Sequence, residues 1–314
     1  MTTEAVLTFD GVTKRYQSGD FWRPLKAVAL KGVSFELRKG EVFGLIGLNG
    51  AGKSTLMKTA VGLLRPDSGS VSLFGMEPRS REARRRFGFL PELPYFPGYL
   101  SAWEVLHFYG ELHGMRGPAL SQRVQSVLET VNLAYAAKEP IRRYSKGMQQ
   151  RVGLAQTLLH DPELLFLDEP MSGLDPQGMK EMRDVILAQR AAGKTLFFNS
   201  HSLAEVERIC DRVALMHKGR LVLVDSVAEL VRSHQSSVTL GFSGGEELGA
   251  KVQALGFDAK RENKVWTLIV PNHSLGAAFE RLDPILGSPP SVLSFGSPLE
   301  TAFLEAVAKE DAHA

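Results

Sequence analysis

The sequence predicts an α/β fold with a mixed, largely parallel sheet and a helical subdomain, followed by a small α+β domain at the C-terminal end. Three observations predict it. Strand-like and helix-like patterns alternate over roughly the first two hundred residues, as in a parallel sheet covered by helices. From about 92 to 160 helical patterns take over. Beyond Asp225 the pattern changes again, to alternating strands broken by Ser243-Gly244-Gly245 and followed by helical stretches. The first domain is therefore placed at 1–228 and the second at 229–314. A chain of 314 residues accommodates two such units at roughly 150 residues per domain.

Each element has a local reason. Val33, Phe35 and Leu37 alternate with polar neighbours up to the turn pair Lys39-Gly40, predicting a strand. Residues 42–46 form a short apolar run suited to a buried strand. A glycine-rich loop follows, then a helical stretch to about Leu64. Pro66-Asp67-Ser68-Gly69 marks a turn before a strand from Ser70 to Phe74. Ser101-Ala102-Trp103-Glu104 has capping-box spacing, and Val105, Phe108, Tyr109 and Leu112 follow at i, i+3, i+4 and i+7. Strands return at 164–167 and 194–198, and Ser202 to Glu205 repeats the capping spacing before another helix. In the second domain Val238, Leu240 and Phe242 alternate, residues 265–270 read as a strand and 275–282 as a helix. Ser297-Pro298-Leu299-Glu300 caps the last helix, with Leu299 and Phe303 on one face.

Composition narrows the class. Hydrophobic residues are 44% and charged residues 23%, which excludes a mostly disordered chain. The formal charge of +2 gives no support to electrostatic capture of nucleic acid, so no nucleic-acid partner is expected. No apolar stretch is long enough to span a membrane, and Met1-Thr2-Thr3-Glu4 lacks the features of a signal peptide. Cys210 is the only cysteine, which rules out an internal disulfide and a cysteine-based zinc site; it is expected buried and inert. A chain that does not itself cross a membrane is expected.

Two motifs carry chemistry. Gly47-Leu48-Asn49-Gly50-Ala51-Gly52-Lys53-Ser54 fits the phosphate-loop pattern at every constrained position and lies between a strand and a helix. Its glycines let backbone N–H groups wrap a β-phosphate, and the helix N-terminus adds positive partial charge. Lys53 supplies a point charge for the β- and γ-phosphates, and the Ser54 hydroxyl is placed to ligate Mg²⁺; Thr55 completes the nucleotide-binding set. Residues 164–170 form an apolar strand ending in Asp168-Glu169-Pro170. Asp168 is expected to hold the Mg²⁺ shell. Glu169 is the candidate general base that polarises the attacking water.

With these residues in hand, the chain resembles the nucleotide-binding subunit of an ABC (ATP-binding cassette) transporter, a P-loop NTPase fold. Tyr144-Ser145-Lys146-Gly147-Met148 resembles the family signature, Ser172-Gly173-Leu174-Asp175 the D-loop, and Asn199-Ser200-His201 the switch histidine. Tyr16 matches the aromatic that stacks on adenine. The match covers roughly residues 4 to 228. The resemblance implies ATP as substrate, with Ser145, Lys146, Gly147 and Asp175 facing a nucleotide held by a second ATP-binding subunit. It also implies His201 as the γ-phosphate contact that helps hold the water. A separately encoded polytopic permease, and a peripheral site on the cytoplasmic face of the cell membrane, complete the expectation.

Two positions depart from the family pattern. Glu92 stands in the place of the Q-loop glutamine; it can ligate Mg²⁺ but cannot donate a hydrogen bond. Lys146 replaces a signature glycine and either strengthens γ-phosphate binding or is solvated. Both departures resemble the bacterial exporter branch. The cluster Arg79, Arg81, Arg84, Arg85 and Arg86 is read as a solvated helix face. Of the aromatics Tyr95, Phe96, Tyr99, Trp103, Phe108 and Tyr109, most are expected in the core, in a region that resembles the permease-docking surface. The rival reading is a soluble ABC ATPase acting on the ribosome or DNA. One cassette instead of two, and a spacing from Lys53 to Asp168 too short for long coiled coils, disfavour it.

Overall fold

The computed structural model describes residues 4–18, 25–233, 237–262, 265–295 and 297–313. They fall into two compact units, residues 1–224 and 225–314.

The first unit holds two sheets. Strands β1 (Ala5–Ser18), β2 (Leu25–Arg38) and β4 (Ser68–Leu73) form an antiparallel sheet in the order β2-β1-β4. A six-stranded sheet takes β3 (Val42–Gly47), β5 (Phe87–Leu90), β6 (Leu164–Asp168), β7 (Thr195–Asn199), β8 (Arg212–His217) and β9 (Arg220–Ser226). Its order is β5-β6-β7-β3-β8-β9. The first five are parallel, with Asp168 of β6 level with Asn199 of β7. Every residue of β3, β6 and β7 is buried, which is why their sequences read as unbroken apolar runs. Aromatic rings lock the sheets together: Phe35 of β2 stacks on Phe9 at 4.8 Å and on Phe43 of β3 at 5.1 Å between centroids.

Helix α1 (Lys53–Ala60) follows the glycine-rich loop and ends four residues short of the expected Leu64, where the chain turns through Gly62 at φ 74°. The strand expected at Ser70 already starts at Ser68. Helix α2 (Arg81–Arg86) is capped by Ser80. The arginines from Arg79 to Arg86 are not all a solvated face: Arg79, before the helix, donates to the Gly62 carbonyl, and Arg86 forms a two-bond pair with Glu163 while lying over the Phe74 ring.

The helical subdomain comprises α3 (Ala102–Leu112), α4 (Gly117–Thr130) and α5 (Lys146–Leu158). Residues 91–100 are irregular, as the three prolines Pro91, Pro94 and Pro97 would dictate. Ser101 and Glu104 form the expected reciprocal cap. The face that α3 buries differs from the expected stripe. Ala102, Val105, Leu106 and Gly110 point inward, whereas Phe108 and Leu112 are 56% and 67% exposed. The small residues Ala102 and Gly110 set the packing side: the Leu120 side chain occupies the space where a Cβ on Gly110 would stand. The expectation that most of the aromatics are core is likewise overturned. Phe96 is buried, but Tyr95 and Tyr99 are 90% and 75% exposed, because the irregular segment offers no second layer to cover them.

Where the helical subdomain meets the sheet, the rings of His113 and His160 stack at 4.0 Å. His160 Nε2 donates to the Phe87 carbonyl at 2.9 Å, so its buried Nδ1 is unprotonated and has no partner. Burial, with His113, Lys194 and Arg123 around it, depresses the His160 pKa from 6.5 to about 4. Between those two values the unfolded chain binds a proton that the folded chain does not. Stability therefore falls as pH drops from 6.5 towards 4. Solvent screening at this part-exposed ring leaves about 1 kcal/mol, or about 2–4 °C in Tm. Thermal melts from pH 7 to 4 should show this slope, and His160→Gln should flatten it.

Helix α6 (Pro176–Ala191) lies between β6 and β7, and α7 (Leu203–Ile209) leads into β8. Ser202 does not cap α7; its own N–H donates to Ser200 Oγ at 3.0 Å. Cys210 terminates α7, buried, and desolvation pushes its thiol pKa upward, so it is inert.

The second unit contains α8 (Val227–Ser233), β10 (Ser237–Ser243), α9 (Glu246–Ala254), β11 (Ala259–Glu262), β12 (Val265–Pro271), α10 (Leu275–Leu286), β13 (Ser291–Phe295) and α11 (Pro298–His313). Between β10 and β13 the chain runs β-α-β-β-α-β, and the antiparallel sheet has the order β11-β12-β10-β13. Trp266, Leu268 and Val270 of β12 pack with Val238, Leu240 and Phe242 of β10 in its core.

Candidate active site

The glycine-rich loop joins β3 to α1, and two of its glycines are sterically required. A Cβ at Gly47 would collide with the Met216 carbonyl, and one at Gly52 with the Ala29 carbonyl. Gly52 also holds φ 107°, which side chains rarely adopt. Gly52 sits at the N-cap of α1 without a side-chain acceptor, and no acidic residue lies in the first turn. The first N–H groups of α1 are thus left to an anion.

Around this loop lies a cavity of about 430 Å³. Leu48, Asn49, Gly50, Ala51, Gly52, Lys53, Ser54 and Thr55 line one side; Ala29, Glu92, Glu169, Asn199 and His201 complete it. Lys53 is buried, and its Nζ donates to the Gly47 and Leu48 carbonyls at 2.6 and 3.3 Å. Burial lowers its pKa, against the opposing pull of Glu169, Asp168 and Glu92.

Asp168 and Glu169 end β6 and part company there. Asp168 is buried and accepts from Asn199 Nδ2 at 2.5 Å; burial raises its pKa, Asn199 opposes this, and Glu92 adds to it. Glu169 takes a left-handed backbone, φ 49°, which turns it away from the strand direction. A backbone bond from Glu169 N–H to the Asn199 carbonyl, 2.9 Å, braces the turn. His201 Nδ1 then meets Glu169 Oε2 at 2.7 Å. The carboxylate only accepts, so the imidazole Nδ1 carries the proton. A part-buried carboxylate oriented by an imidazole across a phosphate-sized cavity is suited to activating water. The oxygen donors Ser54, Asp168 and Glu92 match the chemistry of Mg²⁺, a hard cation that takes carboxylates, hydroxyls and phosphate.

Other expected residues lie apart. Tyr16 is on β1 opposite Ala27, with a partly exposed ring, and does not line the cavity. Ser145 caps α5, accepting from the Met148 N–H at 3.2 Å, and Asp175 caps α6, accepting from the Gly178 N–H at 2.8 Å. Lys146 reaches over Gly173, where a Cβ would collide with its Nζ. Ser145, Lys146, Gly147 and Asp175 line no part of the cavity. Two lining residues were not foreseen as functional. Asn199, whose buried Oδ1 has no partner, follows an apolar run and gives no more signal than its place before His201. Ala29 has no signal in the sequence.

Comparison with known proteins bears on the family. A family model described as ABC transporter matches residues 30–172. An uncharacterized ABC transporter ATP-binding protein of Nostoc is 48% identical over 249 residues, covering 79% of this chain and 74% of that protein. A fluoroquinolones export ATP-binding protein of Mycobacterium tuberculosis is 35% identical over 279 residues, covering 88% and 89%. A solved ATP-binding subunit of an ABC transporter superposes with a TM-score of 0.62 at 30% identity, covering 73% of this chain and 92% of that one. Identity of this order over most of a relative's length decides the family: this chain belongs to the ATP-binding proteins of ABC transporters, whose ATP-binding domains are ATPases.

Proposed function

We propose that the chain hydrolyses MgATP to drive a separate membrane permease in the export direction, working as a pair of cassettes. The observation that carries the hydrolytic part is the Glu169–His201 pair facing the phosphate loop across one cavity. Glu169 acts as base, His201 orients it and the γ-phosphate, and Lys53 binds the β- and γ-phosphates. Ser54, Asp168 and Glu92 would hold Mg²⁺, which supplies charge neutralisation on the phosphates.

Pairing is supported by what the cavity lacks. Ser145, Lys146, Gly147 and Asp175 lie outside its lining, so they meet a nucleotide only when a second copy presents them. ATP then favours the closed pair through contacts that the open state does not make.

Export is supported by the name of the Mycobacterium tuberculosis relative and by the Tyr-Ser-Lys-Gly-Met form of the signature. A separate permease fits the absence, among the described residues, of any helix long and apolar enough to cross a membrane. The exposed series Tyr95, Tyr99, Phe108 and Leu112 supports docking to that permease, with the chain held peripherally at the cytoplasmic face of the membrane.

The test is a tagged pull-down from solubilised native membranes. A polytopic membrane protein recovered in equal amount is the expected result; ribosomal proteins or DNA in its place would favour the soluble rival. Phe108→Asp with Leu112→Asp should cut permease recovery at least about tenfold, since a charge buried at an apolar contact costs more than 1.4 kcal/mol. Nucleotide binding by that variant should stay at the wild-type level.

A further inference from the structure

The reciprocal half of the capping spacing at Ser202 is not formed in α7, and the carboxylate that it would use is engaged elsewhere. Glu205 is 4% exposed, and both its oxygens accept from Arg183 of α6: Nε to Oε2 and Nη2 to Oε1, each at 2.8 Å. Arg208, one turn on, lies 3.8 Å from the same carboxylate. A bidentate fork on a buried carboxylate is geometrically restrictive, because both bonds hold only at one distance and one tilt. As a stabiliser it offers little over an apolar pair, since desolvation offsets the attraction. What it does fix is the relative placement of two helices.

Those two helices follow the segments that hold Glu169 and His201. Helix α6 begins at the Asp175 cap, and Arg183 stands about two turns along it. Helix α7 begins two residues after His201, at an end that no side chain caps. His201 itself has a side chain 65% exposed, and its ring is held at Glu169 Oε2. The segment before α7 is tied by backbone bonds, Glu169 N–H to the Asn199 carbonyl and Ser200 N–H to the Leu45 carbonyl. Val206 and Ile209, both fully buried, seat α7 in the core, and Glu205 ties it to α6, with His201 two residues before its start.

We propose that Arg183 and Glu205 are positioning residues for His201. The buried pair locks α7 to α6, and so holds the imidazole against Glu169. Neither residue lines the cavity, so the effect passes through His201 and not through contact with nucleotide. The proposal rests on the reading of Glu169 and His201 as the hydrolytic pair.

The test uses the full-length chain with MgATP, and compares Glu205→Gln and Arg183→Lys alone and in a His201→Ala background. Glu205→Gln should lower kcat by roughly 10- to 100-fold while KM stays within about twofold. Arg183→Lys keeps the charge but loses the fork, and should fall between Glu205→Gln and wild type. In the His201→Ala background neither change should lower kcat by more than about twofold further, the signature of residues acting through one group. An equal loss with and without His201, or a wild-type kcat in Glu205→Gln, overturns the proposal. Wild-type turnover by His201→Ala alone overturns the hydrolytic reading, and this proposal with it, a different and recognisable outcome. If Glu205→Gln does not fold, Arg183→Lys carries the same comparison.

Discussion

Glu169→Gln is expected to lower steady-state ATP hydrolysis by about 10²- to 10⁴-fold while leaving ATP affinity within a few-fold of wild type. The amide has the size of the carboxylate, and its oxygen still accepts from the His201 Nδ1–H that now meets Glu169 Oε2 at 2.7 Å. The left-handed turn at Glu169 is braced by backbone, its N–H to the Asn199 carbonyl, and does not depend on the side chain. What the substitution removes is a group able to take a proton from water. Binding draws on the loop and Lys53 and survives. Because ATP binding then outlasts hydrolysis, two copies should accumulate as a stable closed pair. Phosphate release, equilibrium nucleotide binding and gel filtration with ATP measure the three parts separately. Wild-type phosphate release would remove Glu169 from the role of base.

How much of this was legible in the sequence depended on how local the cause was. The phosphate loop was legible because its constraints are backbone constraints: Gly47 and Gly52 are required by carbonyls that a Cβ would strike, and Lys53 and Ser54 open the next helix. Strands β3, β6 and β7 were legible because burial on both faces leaves unbroken apolar runs. The inward face of α3 was not. Periodicity says which residues share a face, and Phe108 and Leu112 do share one, but only the partner layer decides whether that face is covered. Ser202 and Glu205 failed for a related reason. Their spacing is that of a cap, but the Glu205 carboxylate is engaged by Arg183, 22 residues earlier, through two charge-assisted bonds. Ala29 enters the cavity by strand pairing alone and leaves no mark in the sequence.

The second large effect is expected at Lys53. Lys53→Ala should weaken ATP binding about 10- to 100-fold, the range for loss of a charged hydrogen-bonding group at 1.5–3 kcal/mol. Its effect on the fold without nucleotide should run the other way. The ammonium is buried, desolvation lowers its pKa, and its recorded partners are two carbonyls of its own loop, Gly47 and Leu48. Holding a cation there costs free energy that the neighbouring carboxylates Glu169, Asp168 and Glu92 offset only in part, because the net shift is still downward. Phosphate oxygens supply the missing counter-charge, so the group is placed for a ligand more than for the fold. Removing it should leave the nucleotide-free Tm unchanged or slightly higher, while abolishing most of the rise in Tm that MgATP gives the wild type. A variant that instead lost stability without nucleotide, yet kept the full MgATP-induced rise, would show that Lys53 serves the loop's structure and not the phosphates. Thermal melts of both proteins with and without MgATP separate the two roles in one experiment.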